Sequence, residues 1–250
     1  MRVGVYVDGY NLYYGGRKHC GRGTAGWRWL DIRGLVGTLL AEKAADWPSA
    51  RPARIVYCTA RISAAHNASG SQDQDVYLKA LLASGSVDHI EYGNYISKVV
   101  KRPLAVEKGG SGKGRHHPVP VAPAWPIMVQ SGGAPVGDAL FMASVATFEE
   151  KGSDVNVAAH LLVDVLTAAV DAVIVISNDS DLRLPVHEAW NRVPVGVVNP
   201  GGGYTAGALS TNAGSGLGTG NHWWRTLGPD DYTGHQLPDP AGRYTRPPGW

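Results

Sequence analysis

Apolar and polar positions along the chain alternate between two kinds of pattern. Residues 2–7, 53–60, 172–176 and 193–199 are short apolar runs rich in β-branched side chains. Such runs suit strands buried on both faces of a parallel sheet. Residues 87–100 alternate more, which predicts a third strand at a sheet edge. Between these runs the period lengthens to that of a helix. Asp31 caps a helix from Ile32 to about Lys43, with Leu35, Leu39 and Leu40 on one face. Residues 72–83 place Val76, Leu78, Leu81 and Leu82 on another, and two more helices are expected over 155–170 and from Leu182 to about Arg192. Strands alternating with helices imply βαβ units, so the expected class is α/β with a mainly parallel sheet.

Two stretches break the pattern. Residues 101–136 mix Gly and Pro with cations and show neither period, so they read as an exposed loop. Beyond Pro200 the chain turns Gly-rich and then Trp-rich, with His222-Trp223-Trp224-Arg225 at the change. A flexible linker does not carry that many tryptophans. The expected organisation is a domain over 1–199, with the loop 101–136 inside it, and an irregular tail over 200–250. That tail docks through aromatic anchors that bury without regular structure.

Composition adds bounds. A chain of 250 residues suits one such domain plus a tail. The formal net charge of +2 announces no polyanion partner through a global field. Cys20 and Cys58 are too few for a disulfide framework, which points to a reducing, cytoplasmic setting. No apolar stretch reaches the roughly 18 residues of a membrane span, and the run before Asp8 is too short for a signal-peptide core. No membrane partner is expected.

The candidate chemistry lies at strand ends. The run 172–176 gives way to Ser177-Asn178-Asp179-Ser180-Asp181, and the run 2–7 ends in Asp8. The carboxyl rim of an open α/β sheet is where ligands bind. If the two strands are neighbours, Asp8 and Asp179 converge, and carboxylates that close repel unless protonated or bridged by a cation. A divalent ion is the economical explanation. Asp181 can instead be the N-cap of the following helix. Asp154 falls in the first turn of its helix, where the dipole favours it, and Asp164 is expected to face solvent. Paired His116-His117 are too close in sequence to share one ion. Lys101, Arg102, Lys108, Lys113 and Arg115 suit either a flap gripping phosphates or a solvated loop. Arg17, Lys18, His19, Arg22 and Arg28, interleaved with Trp27 and Trp29, suit either a single-strand grip or a loop whose tryptophans turn inward.

Three blocks resemble an NYN domain of the PIN-like nuclease superfamily: Val5-Tyr6-Val7-Asp8-Gly9-Tyr10-Asn11-Leu12, Glu150-Lys151-Gly152-Ser153-Asp154-Val155-Asn156, and Ser177-Asn178-Asp179-Ser180-Asp181-Leu182. The resemblance spans roughly residues 3–199. It implies a single Rossmann-like, PIN-type domain with a five-stranded sheet in the order 3-2-1-4-5. It also implies metal-dependent cleavage of RNA. Asp8, Asp154, Asp179 and Asp181 match the family's acidic positions, and Asn11 matches the polar partner of the first. On that likeness Asp8, Asp154 and Asp179 hold Mg²⁺ or Mn²⁺, with Ser177 and Asn178 orienting ligands or waters. His160 stands where many members have Asp, and Leu182 where Phe is common. The expected function is therefore a metal-dependent ribonuclease. The alternatives are an inactive RNA- or protein-binding module and a metal-dependent phosphatase. The phosphatase is disfavoured because Tyr10 stands where its general acid would be. A protein partner or a second copy of the chain is left open.

Overall fold

Burial sorts the strands as the apolar runs require. Every residue of Ala172–Ile176 is buried, as are all but the first of Arg2–Asp8. A computed structural model of the chain describes residues 1–107, 118–120, 130–137, 139–210 and 218–250. The first half of the chain runs β1 (Arg2–Asp8), α1 (Gly9–Cys20), α2 (Ile32–Glu42), β2 (Arg51–Ala60), α3 (Ala68–Ala83) and β3 (His89–Pro103). Short strands β4 (Ala105–Glu107), β5 (Pro118–Pro120), β6 (Gln130–Ser131) and β7 (Ala134–Pro135) precede β8 (Met142–Lys151). The chain returns through α4 (Ser153–Leu166), β9 (Ala172–Ile176), a 3-10 turn at Ser180–Leu182, α5 (Arg183–Trp190) and β10 (Val195–Asn199). It finishes with β11 (Trp223–Thr226) and α6 (Pro229–Thr233).

The main sheet has the order β11-β10-β9-β1-β2-β3-β8. From β11 to β3 each neighbouring pair is parallel. The α/β class is as expected, but the sheet has seven strands rather than five. β8 was hidden because its sequence lacks a core-facing apolar period. β11 was hidden because two tryptophans between polar neighbours are a short signal. In β11, Trp223 stacks edge-on against Trp47 at 5.3 Å while Trp224 meets Trp190 at 6.1 Å. Those two residues thus face opposite sides of the sheet, as neighbours in a strand must. The expectation of a tail without regular structure is corrected: it supplies an edge strand and a helix.

The chain divides into two compact units, Met1–Tyr95 with Glu150–Trp250, and Ile96–Glu149. In the second unit β4 pairs antiparallel with β5, and β6 with β7. The expectation of a structureless loop over 101–136 is corrected to that extent. Two- and three-residue strands are too short to show a period. Among the described residues no helix is long and apolar enough to cross a membrane.

In the first unit the sheet has a core on each face. Val3, Val5 and Val7 pack with α1, α2, α3 and the tail, whereas Tyr6, Val173 and Val175 pack with α4 and α5. Asp164 belongs to the second layer and is buried, contrary to the solvent-facing expectation. Tyr6 Oη donates to its Oδ2 at 2.9 Å, and Arg54 Nη1 donates to both oxygens at 2.8 Å. A helical wheel sees only its own helix, and the arginine that draws Asp164 inward comes from β2. Asp164→Ala leaves Arg54 and the Tyr6 hydroxyl without their acceptor. It is expected to lower the unfolding free energy by about 3 kcal/mol, the low end for a broken buried pair because Arg54 keeps some solvent. Urea denaturation measures this, and a loss under about 0.5 kcal/mol would mark the pair as solvated.

Candidate active-site cleft

The strand-end acids lie on a rim built by register. Val7 pairs with Ile176 and Asp8 with Cys58, so β1, β9 and β2 end side by side. Asp8 caps α1, its Oδ1 accepting from Asn11 N at 2.9 Å. Its Oδ2 accepts from Ser177 Oγ at 3.0 Å, and that hydroxyl accepts from Asp179 N at 3.1 Å. Asn11 Oδ1 accepts from Asn178 N at 3.2 Å, tying the first loop to the third block. Asn178 in turn holds the segment after Pro200, its Oδ1 accepting from Ala206 N at 2.7 Å. Asp179, not Asp181, is the cap here: its Oδ1 accepts from Asp181 N at 3.0 Å, and Asp181 is exposed.

These groups feel one another. Burial pushes the Asp8 carboxyl up, and Asp179 and Asp154 add to the shift, while bonds from Asn11 and Ser177 oppose it. Glu150 joins them. Burial first, then Asp8 and Asp154, push its carboxyl from an ordinary 4.5 to about 7. Sequence reasoning passed over Glu150 because it sits beside Glu149 before a turn, where acids need no special explanation. Since the folded value is raised, the folded state holds this proton more tightly than the unfolded chain does. The contribution is present in full below about pH 4.5 and is lost as pH rises through about 7. Asp8 acts with the same sign. Glu150→Gln is therefore expected to gain stability relative to the parent on going from about pH 5 to about pH 8. Urea midpoints at the two values test this, and an unchanged difference would place Glu150 in solvent.

Against the rim opens a cleft of about 340 Å³. Helical spacing puts Tyr10, Tyr13 and Tyr14 of α1 along it, with Tyr57 of β2, Tyr77 of α3 and Trp250 on other walls. Tyr10 and Tyr14 lie 4.5 Å apart, Tyr13 and Tyr14 5.3 Å. Trp27 and Trp29 are 2% and 0% exposed, so they turn inward, and the tyrosines, with Trp250, form the accessible aromatic surface. Arg17, Arg22 and Arg28 line the same cleft. Arg28 lies between the Trp27 and Trp250 rings, 5.8 and 5.4 Å from their centroids, and its Nη2 donates to Gly249 O. Arg28 Nε and Glu150 Oε1 are two of seven buried side-chain atoms without a hydrogen-bond partner among the described residues.

Lys101 and Arg102 are exposed in the second unit, while Lys108, Lys113, Arg115 and His116-His117 lie outside the described residues. Among the described residues, the group of three or more His, Cys, Asp or Glu placed to share an ion is His89, Glu91 and His160, with ligand atoms within 4.8 Å of one another. The rim acids Asp8, Asp154 and Asp179 are not such a group. Both oxygens of Asp8 are already engaged by Asn11 and Ser177.

The chain has a named relative. It is 28% identical over 228 residues to 6-hydroxy-3-succinoylpyridine 3-monooxygenase HspA of Pseudomonas putida, a match covering 83% of this chain and 62% of that protein. The chain thus spans less than two thirds of that relative's length. No family model matches it. A solved structure of a protein of unknown function from Vibrio parahaemolyticus aligns over 92% of this chain and 94% of its own, at 15% identity and a TM-score of 0.44. The monooxygenase relative overturns the ribonuclease expectation, and with it Mg²⁺ or Mn²⁺ as the cofactor. The physical reason the sequence misled is plain. Acids at strand ends read as metal ligands, but here much of their hydrogen-bonding capacity goes into capping α1 and the 3-10 turn and into joining β1 to β9.

Proposed function

We propose that this chain is an oxidoreductase that binds a small hydroxylated N-heteroaromatic carboxylate in the tyrosine cleft and hydroxylates its ring. The observation that carries the reading is one aromatic cleft lined both by a cation, Arg28, and by an acid whose carboxyl is pushed up to about 7, Glu150. The cleft's size is at the low end for small-molecule sites. A pyridine ring stacks on the tyrosines in offset or edge-on fashion. A side-chain carboxylate pairs with Arg28, since guanidinium recognises carboxylate through charge-assisted bonds. The ring hydroxyl faces Glu150, which near pH 7 can take up or return its proton.

Ring hydroxylation places one atom of O₂ on the ring and releases the other as water, with two electrons from a reductant. A dinucleotide does not fit the rim after β1. The usual phosphate site there is a glycine-rich turn at a helix N-terminus. Here Asp8 occupies that N-terminus, and a pyrophosphate would meet its carboxylate. The NYN-type, Rossmann-like kinship of the domain belongs to the same proposal. The central strands β3-β2-β1-β9-β10 follow the order that the resemblance implies, with the first and third acidic blocks after β1 and β9 and the second between β8 and α4.

Titration of the full chain with 6-hydroxy-3-succinoylpyridine, followed by quenching of tryptophan fluorescence, tests the binding half. Saturable binding is expected, weakened about tenfold or more in Arg28→Ala, the cost of a lost charge-assisted bond. Equal affinity in parent and variant would remove Arg28 from the site.

A further inference from the structure

We propose that His89, Glu91 and His160 form a binding site for a late first-row divalent cation, of the Zn²⁺, Co²⁺ or Fe²⁺ class. Two of the three come from β3 at alternate positions, so they share one face of the sheet. The third comes from α4, which lies over that face. Rigid elements, not loops, therefore set the ligand positions. Both imidazoles converge on a single carboxylate oxygen: Glu91 Oε2 is 3.0 Å from His89 Nε2 and 3.1 Å from His160 Nε2. Separations near 3 Å are those of neighbouring ligand atoms around an ion with bonds of about 2.1 Å. In the metal-free form these contacts are hydrogen bonds to one oxygen, and they hold the three ligand atoms gathered for an ion.

The donor set selects the ion. Two imidazoles and one carboxylate suit late first-row metals and leave positions open, whereas Mg²⁺ and Ca²⁺ take oxygen. The side chains of His89, Glu91 and His160 are 45%, 38% and 21% exposed, so water can fill those positions. Arg54 approaches His160 Nδ1 with Nη2 at 3.3 Å, and an arginine N–H can only donate. In the metal-free form the His160 proton therefore sits on Nε2, facing Glu91. Binding at Nε2 moves that proton to Nδ1 and opens the Arg54 contact, while Arg54 Nη1 keeps its bonds to Asp164.

The site is separate from the tyrosine cleft. His89 and Glu91 stand beside Val56 and Cys58, which pack toward α4, while Ile90 and Tyr57 pack on the opposite face. It stands whether or not the cleft hydroxylates a ring.

The test is Co²⁺ titration of the tag-free full chain, stripped with EDTA and dialysed, followed by calorimetry and visible absorption. A single equivalent per chain is expected, with a thermal shift upward, since an ion held only by the native state stabilises it. His160→Gln and His89→Gln should each weaken binding at least about tenfold, with circular dichroism confirming the fold. Asp179→Asn should keep the parent's affinity. In the parent, Co²⁺ should perturb the ¹⁵N signals of two histidine rings, a readout that needs no variant. A parent that takes up no Co²⁺, binding that survives in both histidine variants, or binding lost only in Asp179→Asn overturns the proposal.

Discussion

Trp29→Ala lowers the unfolding free energy by about 4 kcal/mol, as truncation of a fully buried tryptophan does. Trp29 is 0% exposed, and its ring meets Tyr77 at 5.9 Å and Trp250 at 6.5 Å. Its Nε1 donates to Pro238 O at 3.0 Å, and its own carbonyl accepts from Leu237 N at 2.8 Å. The substitution therefore opens a cavity and also removes a bond that fastens the last segment of the chain. It loosens Tyr77 and Trp250 as well, both of which wall the cleft. Chemical denaturation of the variant gives the number. A loss under about 1 kcal/mol would mean that the tail and the body stabilise themselves separately.

Glu150→Gln has the larger effect on chemistry. On the proposed reading Glu150 exchanges the proton of the ring hydroxyl, and positioned acid–base groups contribute about 10²–10⁴-fold. The variant keeps the shape but cannot take a proton, so kcat/KM is expected to fall by that range. The parent's profile should rise through about pH 7, where the raised Glu150 carboxyl ionises, and the variant's should lack that limb. A variant that keeps both the rate and the limb would place the base elsewhere on the rim.

Much of the scaffold is legible in the sequence. The run Ala172–Ile176 is a strand buried at every residue, and the capped helix beginning at Ile32 ends one residue short of Lys43. These elements carry strong local signals, because burial on both faces or along one stripe dictates the residue types. What stays hidden depends on partners distant in sequence. Asp164 reads as a surface acid until Arg54 and Tyr6 are beside it. Trp223 and Trp224 read as irregular anchors until β10 offers an edge.

The rim shows the same division. That Asp8 and Asp179 lie at the ends of two buried strands follows from their runs, but that the strands are neighbours is seen only in their register. Their task does not follow, because one carboxylate can bind a metal, cap a helix or bridge two loops. Glu150 and Arg28 are single charged residues with no pattern to mark them. Only their place on the cleft sets them apart. The triad of His89, Glu91 and His160 combines an i, i+2 pair with a residue far along the chain, a spacing that no local motif contains.

Isotope transfer tests the central proposal most directly. The full chain, supplied with 6-hydroxy-3-succinoylpyridine, a chemical reductant and ¹⁸O₂, is followed by mass spectrometry of the pyridine. Ring hydroxylation predicts a product that carries one ¹⁸O atom and disappears when O₂ is withheld or Glu150 is replaced by Gln. Unaltered pyridine across a range of reductants, or a product whose new oxygen comes from water, would contradict it.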